Sequence, residues 1–299
     1  MLRAVVGSTA SGKTEAGMAL ATALGAEIVS VDSMLVYRGM DVGTAKPTAA
    51  QRAAVPHHML DLAEPSERFT VARFQAEAES VLDRVANPLL VGGSGLYFRA
   101  VVDRLRFPPE DPAVRAALEA EADELGADEL YRRLAEADPV AADRIEPGNV
   151  RRTIRALEVT AITGAPFSDF AAAWDVYEPE RVRVAGVRLE TTALDVRVRE
   201  RTAAMLAGGW LDEVDQLVAR GFGAWLTASQ AIGYAELAAH LDGRLGLDEA
   251  MERTVKRTKE LARRQLAWFR RDPRIRWFDA GSGGAIEVVH DVRAYLEST

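Results

Sequence analysis

The chain alternates short apolar segments with longer segments of helical periodicity. The apolar segments are almost continuously hydrophobic, which is typical of parallel strands buried on both faces of a sheet. We predict five such strands, at Leu2–Val6, Glu27–Val31, Pro88–Val91, Val182–Arg188 and Arg274–Phe278. The predicted fold is therefore α/β, with a doubly wound parallel sheet.

Helical periodicity fills the intervals between these strands. Thr14–Leu24 predicts the first helix, and Gly25 follows it as a C-cap. Near the end of the chain, Leu194–Ala219 and Ala228–Arg271 predict further helices, and Asp248–Arg271 within the second range predicts one long helix.

The segment from residue 110 to residue 178 interrupts the alternation, because it contains helical patterns and no convincing strand. The helices predicted there are Pro112–Glu124, Asp128–Ala137, Val140–Ile145 and Arg151–Thr163. We expect a core formed by residues 1–109 and 179–299, with residues 110–178 inserted as a helical domain.

Composition excludes several classes of site. Of the 299 residues, 48% are hydrophobic and 27% are charged, as in an ordinary globular protein. With no Cys and four His, disulfides, thiol nucleophiles and iron–sulfur clusters are excluded, and a His-rich metal site is not expected. The first apolar run is too short for a signal peptide, and no segment approaches the roughly 18 apolar residues of a membrane span. We expect a cytoplasmic protein with no membrane partner.

Basic residues are concentrated in two places although the formal net charge is −8. Residues 251–276 include ten basic and three acidic side chains, and Arg151, Arg152 and Arg155 form a second cluster. A solvated helix face would explain either cluster alone. Two clusters on an acidic protein favour a polyanionic partner such as RNA.

The most specific motif is a phosphate loop. It consists of Gly7, Ser8, Thr9, Ala10, Ser11, Gly12, Lys13 and Thr14, which fit the G-x-x-x-x-G-K-[ST] pattern between a strand and a helix. Backbone N–H groups and the helix N-terminus bind phosphate oxygens in such loops, Lys13 adds a full positive charge, and Thr14 is a ligand suited to Mg²⁺. The motif predicts a site for two linked phosphates, with ATP or GTP as the usual ligand.

Two further segments follow strands at the same predicted sheet edge, where α/β folds bind ligands. Asp32 comes directly after Glu27–Val31 and is either an N-cap or a general base or metal ligand. Gly92–Gly95 brings the backbone close to a ligand, with the Ser94 hydroxyl beside it, or is a plain strand-to-helix turn. None of the later predicted strands ends in an acidic residue that would act as the metal-binding partner of an ATPase.

Taken together and in order, these motifs resemble the tRNA dimethylallyltransferase family, and its bacterial type most closely. The resemblance rests on Gly7–Thr14, Asp32–Pro47, Pro56–His58 with Asp61, Phe74, Gly92–Tyr97, Asp111–Arg115, Arg151–Glu158, Gln230–Tyr234, Arg264-Gln265 and Trp268–Arg270. The block from Asp32 to Pro47 is the longest and most specific of these segments.

The resemblance implies transfer of a dimethylallyl group from dimethylallyl diphosphate to N6 of adenosine 37 in tRNA, with Mg²⁺ as the cofactor and diphosphate as the second product. The phosphate loop would then bind the donor diphosphate and not ATP. The implied catalytic residues are Asp32 as the general base, Lys13, and Ser94 where the family usually has Thr. Thr14 is the implied metal ligand.

The resemblance also implies two sets of binding residues. The diphosphate site would combine Gly7–Thr14 with Arg197 and Arg201. The residues facing tRNA would be Asp32, Ser33, Met34, Leu35, Ser94, Arg115, Arg151, Arg152, Thr153, Ile154, Arg155, Gln230, Ala231, Ile232, Gly233, Tyr234, Ala235, Glu236 and Leu237. Ala235 stands where the family commonly has Lys, so that phosphate contact is not expected here. The helical insertion would contact the anticodon stem-loop, and a monomer is expected.

Three alternatives remain at this level. A prenyltransferase acting on free adenine nucleotides shares the loop, Asp32 and the glycine turn, although the insertion and the Arg151–Arg155 cluster favour tRNA. An ATP-dependent small-molecule kinase predicts ATP turnover. An RNA-binding module with a vestigial loop predicts that replacing Lys13 leaves activity intact.

Overall fold

A computed structural model describes residues 1–172, 174 and 176–298. The chain divides into two compact units. The core unit comprises Met1–Arg104 with Glu178–Thr299, and the helical unit comprises Leu105–Tyr177. The helical unit therefore starts at Leu105 and ends at Tyr177, whereas the boundaries predicted from the sequence were residues 110 and 178.

The core unit contains a parallel sheet. Its strands are β1 (Leu2–Gly7), β2 (Glu27–Val31), β3 (His57–His58), β4 (Pro88–Gly92), β5 (Val182–Leu189) and β6 (Ile275–Ala280). The six strands that the described residues form lie in the order β3-β2-β4-β1-β5-β6, and every neighbouring pair is parallel. The predicted α/β fold with a parallel sheet is confirmed.

The five predicted strands all form. β2 has its predicted limits, and the others differ by one or two residues at an end. The sequence prediction missed β3, because two residues are too few to produce a recognisable pattern.

Apolar side chains cover both faces of the sheet. Val6 and Val31 belong to the cluster on one face, and Val5, Ile28 and Leu89 belong to the cluster on the other. Successive strand residues point to opposite faces. Burial on both sides therefore explains why these strands are almost continuously hydrophobic.

Helices flank the sheet of the core unit. They are α1 (Lys13–Leu24), α2 (Ala49–Ala54), α3 (Val71–Arg84) and α4 (Gly95–Asp103), and, after the helical unit, α10 (Thr191–Met205), α11 (Leu211–Ala219), α12 (Tyr234–Leu241), α13 (Leu247–Phe269) and α14 (Val289–Glu297). A π-helical turn at Leu206–Trp210 joins α10 to α11. Short 3₁₀ turns lie at Ala228–Gln230 and Ala285–Val288.

Glycines interrupt the long helices predicted for this unit. The single helix predicted over Leu194–Ala219 is wrong, because Gly209 has a φ of 94° and ends the regular helix at the π-helical turn. The prediction of helix throughout Ala228–Arg271 is wrong at two places. Gly233 (φ 92°) interrupts the helical backbone before α12, and Gly243 (φ 73°) interrupts it after α12. A positive φ favours glycine and ends helical geometry.

The helical unit consists of α5 (Pro112–Leu125), α6 (Ala127–Ala137), α7 (Pro139–Arg144), α8 (Val150–Thr163) and α9 (Phe167–Ala172). It has an apolar core of its own, which includes Leu130, Leu134 and Leu157. The described residues of this unit form no strand. In neither unit do the described residues include a helix that is both long and apolar enough to cross a membrane.

Candidate active site

Three loops meet at the carboxyl edge of the sheet, after β1, β2 and β4. In the sheet register, Gly92 of β4 lies between Val6 of β1 and Val31 of β2. A Cβ atom at Gly92 would lie 2.0 Å from the carbonyl oxygen of Val31, so only glycine allows this close approach. The phosphate loop, Asp32 and the Gly93–Ser94 turn therefore follow adjacent strands at one edge.

The backbone of the phosphate loop adopts the left-handed conformation at two positions. Ala10 and Gly12 both have positive φ, 62° and 83° respectively, and α1 begins at Lys13. The Lys13 ammonium donates back to the carbonyl oxygen of Ser8 at 3.0 Å. The hydroxyls of Ser8 and Ser11 are buried and have no hydrogen-bond partner in the described part of the chain. Buried hydroxyls without partners indicate a loop that completes its hydrogen bonds with a ligand.

Three charged groups interact at this loop: Lys13, Arg201 and Asp32. Burial and repulsion from Arg201 lower the pKa of Lys13 to about 8, and the negative charge of Asp32 opposes this shift. Burial also lowers the pKa of Arg201, while Asp32 acts in the opposite direction. Two cations beside one carboxylate leave an excess of positive charge, which favours a ligand with several negative charges.

Arg197 and Arg201 lie one turn apart on α10, but they have different surroundings. The Nε of Arg197 donates to the carbonyl oxygen of Ala10 at 2.9 Å, and its Nη1 donates to the carbonyl oxygen of Ser282 at 3.2 Å. The predicted role of Arg197 as a diphosphate clamp is therefore revised, because two of its donors already brace the loop backbone. Arg201 lines the cavity described next, which Arg197 does not.

A cavity of about 360 Å³ lies within the core unit. Its walls bring together Lys13, Thr14, Asp32, Ser94 and Arg201 from separate parts of the chain. Apolar and polar side chains complete the lining, among them Met34, Leu35, Met205, Trp210, Gln230, Ala231, Ile232, Arg257, Leu261, Arg264 and Gln265. The lining therefore combines cationic and polar groups with apolar side chains that can contact a planar or aliphatic group.

A second, more open cavity of about 770 Å³ shares Lys13, Thr14 and Arg201 with the first. Arg197 and Arg52 also line it. The cationic groups of the phosphate loop are thus accessible from two sides of the core unit.

Asp32 lies at the start of a tight turn. Its Oδ1 accepts a hydrogen bond from the backbone N–H of Met34 at 2.9 Å. From the sequence, Asp32 was either a capping residue or a functional one. It makes this cap-type hydrogen bond and also lines the first cavity. The carboxylate therefore has a fixed orientation, as a general base requires.

The loop after this turn is anchored by charged side chains. The carboxylate of Glu213 accepts hydrogen bonds from the backbone N–H groups of Asp41, Val42 and Gly43 at 2.7, 2.8 and 3.2 Å. The buried Lys46 ammonium lies 2.6 Å from a carboxylate oxygen of Asp41 and is also paired with Asp61. The charged side chains that anchor this loop thus fix a cavity wall, since Gly43 lines the first cavity.

The segment Gln230–Leu237, predicted to face tRNA, divides into cavity and core residues. Gln230, Ala231 and Ile232 line the first cavity. Tyr234 and Leu237 are fully buried, and Glu236 accepts from the N–H of Gly233 at 2.9 Å and pairs with Arg257. The prediction that these three side chains face tRNA is not supported, because they are internal. Gly233 is also buried, and Ala235 is exposed.

Of the four arginines of the helical unit that were predicted to face tRNA, two form internal ion pairs and two are exposed. Arg115 and Arg155 both donate to the buried carboxylate of Glu158, at 2.5 and 2.7 Å. Arg151 and Arg152 are exposed. Thr153 and Ile154 are buried in the unit and cannot present their side chains to tRNA, contrary to the prediction.

Several cavity residues had no role in the sequence prediction. Gln265 of α13 accepts from the backbone N–H of Thr9 at 2.7 Å. Trp210 lies between two glycines, since a Cβ atom at Gly43 or at Gly233 would come within 2.0 Å of its indole. Gln265 lay in a recognised motif segment, but no sequence signal connected Trp210 or Glu213 with the site.

A divalent cation would have few ligands from the protein. The described residues contain no cluster of three His, Cys, Asp or Glu side chains that could bind a metal ion. Thr14 lines both cavities, at the end of the phosphate-loop motif. One hydroxyl next to a phosphate site fits Mg²⁺, which commonly takes its other ligands from substrate phosphates and water.

Comparison with known proteins agrees with this geometry. A family model described as IPP transferase matches residues 35–272, and one described as isopentenyl transferase matches residues 1–61. The chain is 48% identical to a tRNA dimethylallyltransferase of Nocardioides sp., over 98% of this chain and 96% of that protein. It is 50% identical to a tRNA dimethylallyltransferase of Kineococcus radiotolerans, over 94% and 92% of the two chains.

The solved structures include a tRNA isopentenylpyrophosphate transferase of Bacillus halodurans that is 38% identical to this chain. The two structures match with a TM-score of 0.71 over 99% of this chain and 96% of the other. The family resemblance seen in the motifs is thereby confirmed. The chain belongs to the IPP transferase family, which includes the tRNA dimethylallyltransferases.

Proposed function

We propose that this protein transfers the dimethylallyl group of dimethylallyl diphosphate to N6 of adenosine 37 in tRNA and releases diphosphate. The observation that supports this best is that Lys13, Arg201, Asp32 and Ser94 all line a single cavity. A diphosphate and a base amine can therefore meet in the same enclosure. The remaining apolar wall suits a five-carbon chain and an adenine ring.

In the proposed reaction, N6 of adenine attacks C1 of the donor. The N6 lone pair forms the new C–N bond, and the electron pair of the C1–O bond leaves on the diphosphate oxygen. The N6 proton passes to the carboxylate of Asp32. This transfer matters because the N6 lone pair is delocalised into the ring, which makes the neutral amine a weak nucleophile.

The phosphate loop stabilises the leaving group. Negative charge grows on the departing diphosphate, and Lys13 and Arg201, which line the cavity, are proposed to stabilise it. Preorganised donors of this kind act in the transition state without reorganising. The Ser8 and Ser11 hydroxyls, which have no partner within the described residues, are further donors for the diphosphate.

We propose Mg²⁺ as the cofactor, with Thr14 as its protein ligand. When bound, it would neutralise part of the diphosphate charge.

For tRNA, we propose that adenosine 37 is flipped out of the anticodon loop into the first cavity, because a stacked base cannot reach an enclosed site. Arg151 and Arg152, which are exposed on the helical unit, are proposed to contact phosphates of the anticodon stem-loop. The protein is also proposed to act as a monomer in the cytoplasm.

The test is a labelling assay with purified protein, Mg²⁺ and radiolabelled dimethylallyl diphosphate. The acceptors are a tRNA with adenosine at positions 36 and 37, the same tRNA with guanosine at 37, and AMP. We expect label in the first acceptor alone. Label in AMP without label in tRNA would show a nucleotide prenyltransferase, and ATP turnover without prenyl transfer would show a kinase.

Replacing Asp32 tests the role of the carboxylate in the same assay. Asp32→Asn keeps the shape of the side chain but removes the base, so kcat is expected to fall by about 10²- to 10⁴-fold. Binding of tRNA should stay within a few-fold of the wild type. Asp212→Asn, on the exposed first turn of α11, is the matched control. A collapse of tRNA binding in Asp32→Asn would assign Asp32 to recognition.

A further inference from the structure

The side-chain amide of Gln265 has a hydrogen-bond partner for its oxygen atom, while its amino group points in another direction. It lies near the end of α13, and its Oε1 accepts a hydrogen bond from the backbone N–H of Thr9 at 2.7 Å. An N–H group can only donate, so the oxygen of the amide must face Thr9. The orientation of the amide is therefore fixed by the phosphate loop itself.

The amino group of Gln265 consequently points to the opposite side, toward the glycine turn after β4. A Cβ atom at Gly93 would lie 2.8 Å from Nε2 of Gln265 and 3.3 Å from Nζ of Lys13. The two nitrogen atoms thus both lie beside Gly93, as does the carbonyl oxygen of Gly7, which is 3.0 Å from the same position. The absence of a side chain at Gly93 leaves room for both.

The Nε2 group donates no hydrogen bond to any atom of the described part of the chain, whereas Gln265 lines the first cavity. It has two N–H bonds to offer. The nearby carboxylate of Asp32 is engaged with the N–H of Met34 through its Oδ1. Because Gln265 and Lys13 both line the cavity, the N–H groups of this oriented amide can donate to a molecule that enters the cavity beside Lys13.

We propose that Gln265 is a further catalytic residue, which donates a hydrogen bond from Nε2 to an oxygen of the donor diphosphate. This inference rests on the proposed function, since the diphosphate is the leaving group of that reaction. As the C1–O bond breaks, its electron pair moves onto the diphosphate oxygens, and the amide N–H meets the increasing negative charge. Gln265 takes up no proton, so the N6 proton still passes to Asp32.

A neutral donor complements the cationic groups at this position. Lys13 and Arg201 attract the diphosphate by their charge before and after the reaction alike. An amide N–H adds a directional hydrogen bond without adding net charge. Because Oε1 is bound to Thr9, the amide also moves together with the phosphate loop.

The competing explanation is that Gln265 only braces the loop. Two substitutions address it. Gln265→Glu keeps an oxygen acceptor for the Thr9 N–H but removes the amide donor, and Gln265→Leu removes both without adding charge. Gln75→Leu on α3, which is remote from both cavities, is the matched control.

The first measurement is steady-state prenyl transfer to tRNA, with inorganic diphosphate as the inhibitor. We expect kcat/KM to fall about 10²-fold in both Gln265 variants. The inhibition constant for diphosphate should rise about five- to tenfold in Gln265→Leu. Wild-type activity in Gln265→Glu, or unchanged diphosphate inhibition in Gln265→Leu, would overturn the proposal.

The second measurement detects the contact directly in the unaltered protein. The side-chain amide signals of Gln265 are assigned in an ¹⁵N spectrum by their loss in Gln265→Glu. Adding inorganic diphosphate with Mg²⁺ should shift these signals and leave those of Gln75 in place. Signals that do not move at saturating diphosphate contradict the inference even if the wild type transfers prenyl groups, whereas an inactive wild type contradicts the proposed function instead.

Discussion

The hydroxyl oxygen of Ser94 accepts a hydrogen bond from the backbone N–H of Ser33 at 3.3 Å. The backbone N–H of Ser94 in turn donates to the carbonyl oxygen of Val31 at 3.4 Å. Ser94 therefore contacts the residue before Asp32 and the residue after it. The start of α4 and the turn that carries the proposed base are fixed to each other through this one serine.

Ser94→Ala is expected to lower kcat by about three- to tenfold, because it removes the Ser33 contact and with it one neutral hydrogen bond. Ser94→Thr keeps the hydroxyl and should retain wild-type kcat, since the added methyl restricts rotation about χ1. Steady-state assays with saturating donor and tRNA measure both effects. Equal kcat values for Ser94→Ala and the wild type would remove the proposed role of the hydroxyl.

The parts of the site that could be predicted from sequence are those built by local geometry. The phosphate loop depends on spacing within eight residues and on a glycine with positive φ, so the motif is visible in the chain. Asp32 could be located because an acidic residue directly follows a buried strand. The strands could be predicted because burial on both faces produces continuous apolar runs.

The remaining contacts join residues that are distant in the chain. Gln265 and Thr9 are 256 positions apart, and Glu213 and Gly43 are 170 apart. A carboxylate in the first turn of a helix is ordinarily a favourable helix-dipole interaction, so Glu213 gave no sign of binding backbone N–H groups elsewhere. Likewise, the sequence could not show that Arg155 pairs internally while Arg151 is exposed, although both belong to one cluster.

Arg201→Ala is expected to weaken donor binding by about 10- to 100-fold, because hydrogen bonds to charged groups are worth about 1.5–3 kcal/mol each. Binding of an inert donor analogue, dimethylallyl thiodiphosphate, measures this directly. Arg199→Ala on the same helix removes only an exposed ion pair with Glu252 and is the control.

Arg197→Ala should affect folding stability more than donor binding. Its guanidinium joins the carbonyl oxygens of Ala10 and Ser282, so its loss leaves the hydrogen bond from the N–H of Ala285 to the carbonyl oxygen of Ser11 as a remaining link between the phosphate loop and the segment that follows β6. We expect a lower thermal midpoint and a smaller loss of analogue affinity than in Arg201→Ala. The reverse order of affinities would restore Arg197 as the diphosphate clamp.

Arg151→Ala is expected to weaken tRNA binding and to reduce the slope of log affinity against log salt by about one, as loss of one phosphate contact would. Arg155→Ala should leave that slope unchanged, because its guanidinium is bound to Glu158 and to the carbonyl oxygens of Pro108 and Pro109. Filter binding over a range of salt concentrations measures both slopes. A slope change in Arg155→Ala alone would exchange the two roles.

The stability of the helical unit is expected to depend on the ionisation of Glu158. Burial alone would raise the pKa of Glu158, but hydrogen bonds from Arg115 and Arg155 and from the N–H of Asp111 lower it below its ordinary value. A carboxyl whose pKa is depressed by folding stabilises the folded state fully above its unfolded pKa, which is about 4.3. That contribution is lost as the pH falls below this value and through the folded pKa.

Hydrogen exchange of the amides in α8, measured in the full chain from about pH 7 to pH 3 and corrected for intrinsic rates, follows this loss. Glu158→Gln should lower the opening free energy by about 2 kcal/mol at pH 7, because Arg115 and Arg155 lose their charged partner. The difference between wild type and variant should shrink at acidic pH as Glu158 becomes protonated. Glu124→Gln on α5, which replaces an exposed carboxyl, should match the wild-type profile. A difference that stays constant down to pH 3 would mean that the ionisation of Glu158 does not stabilise this unit.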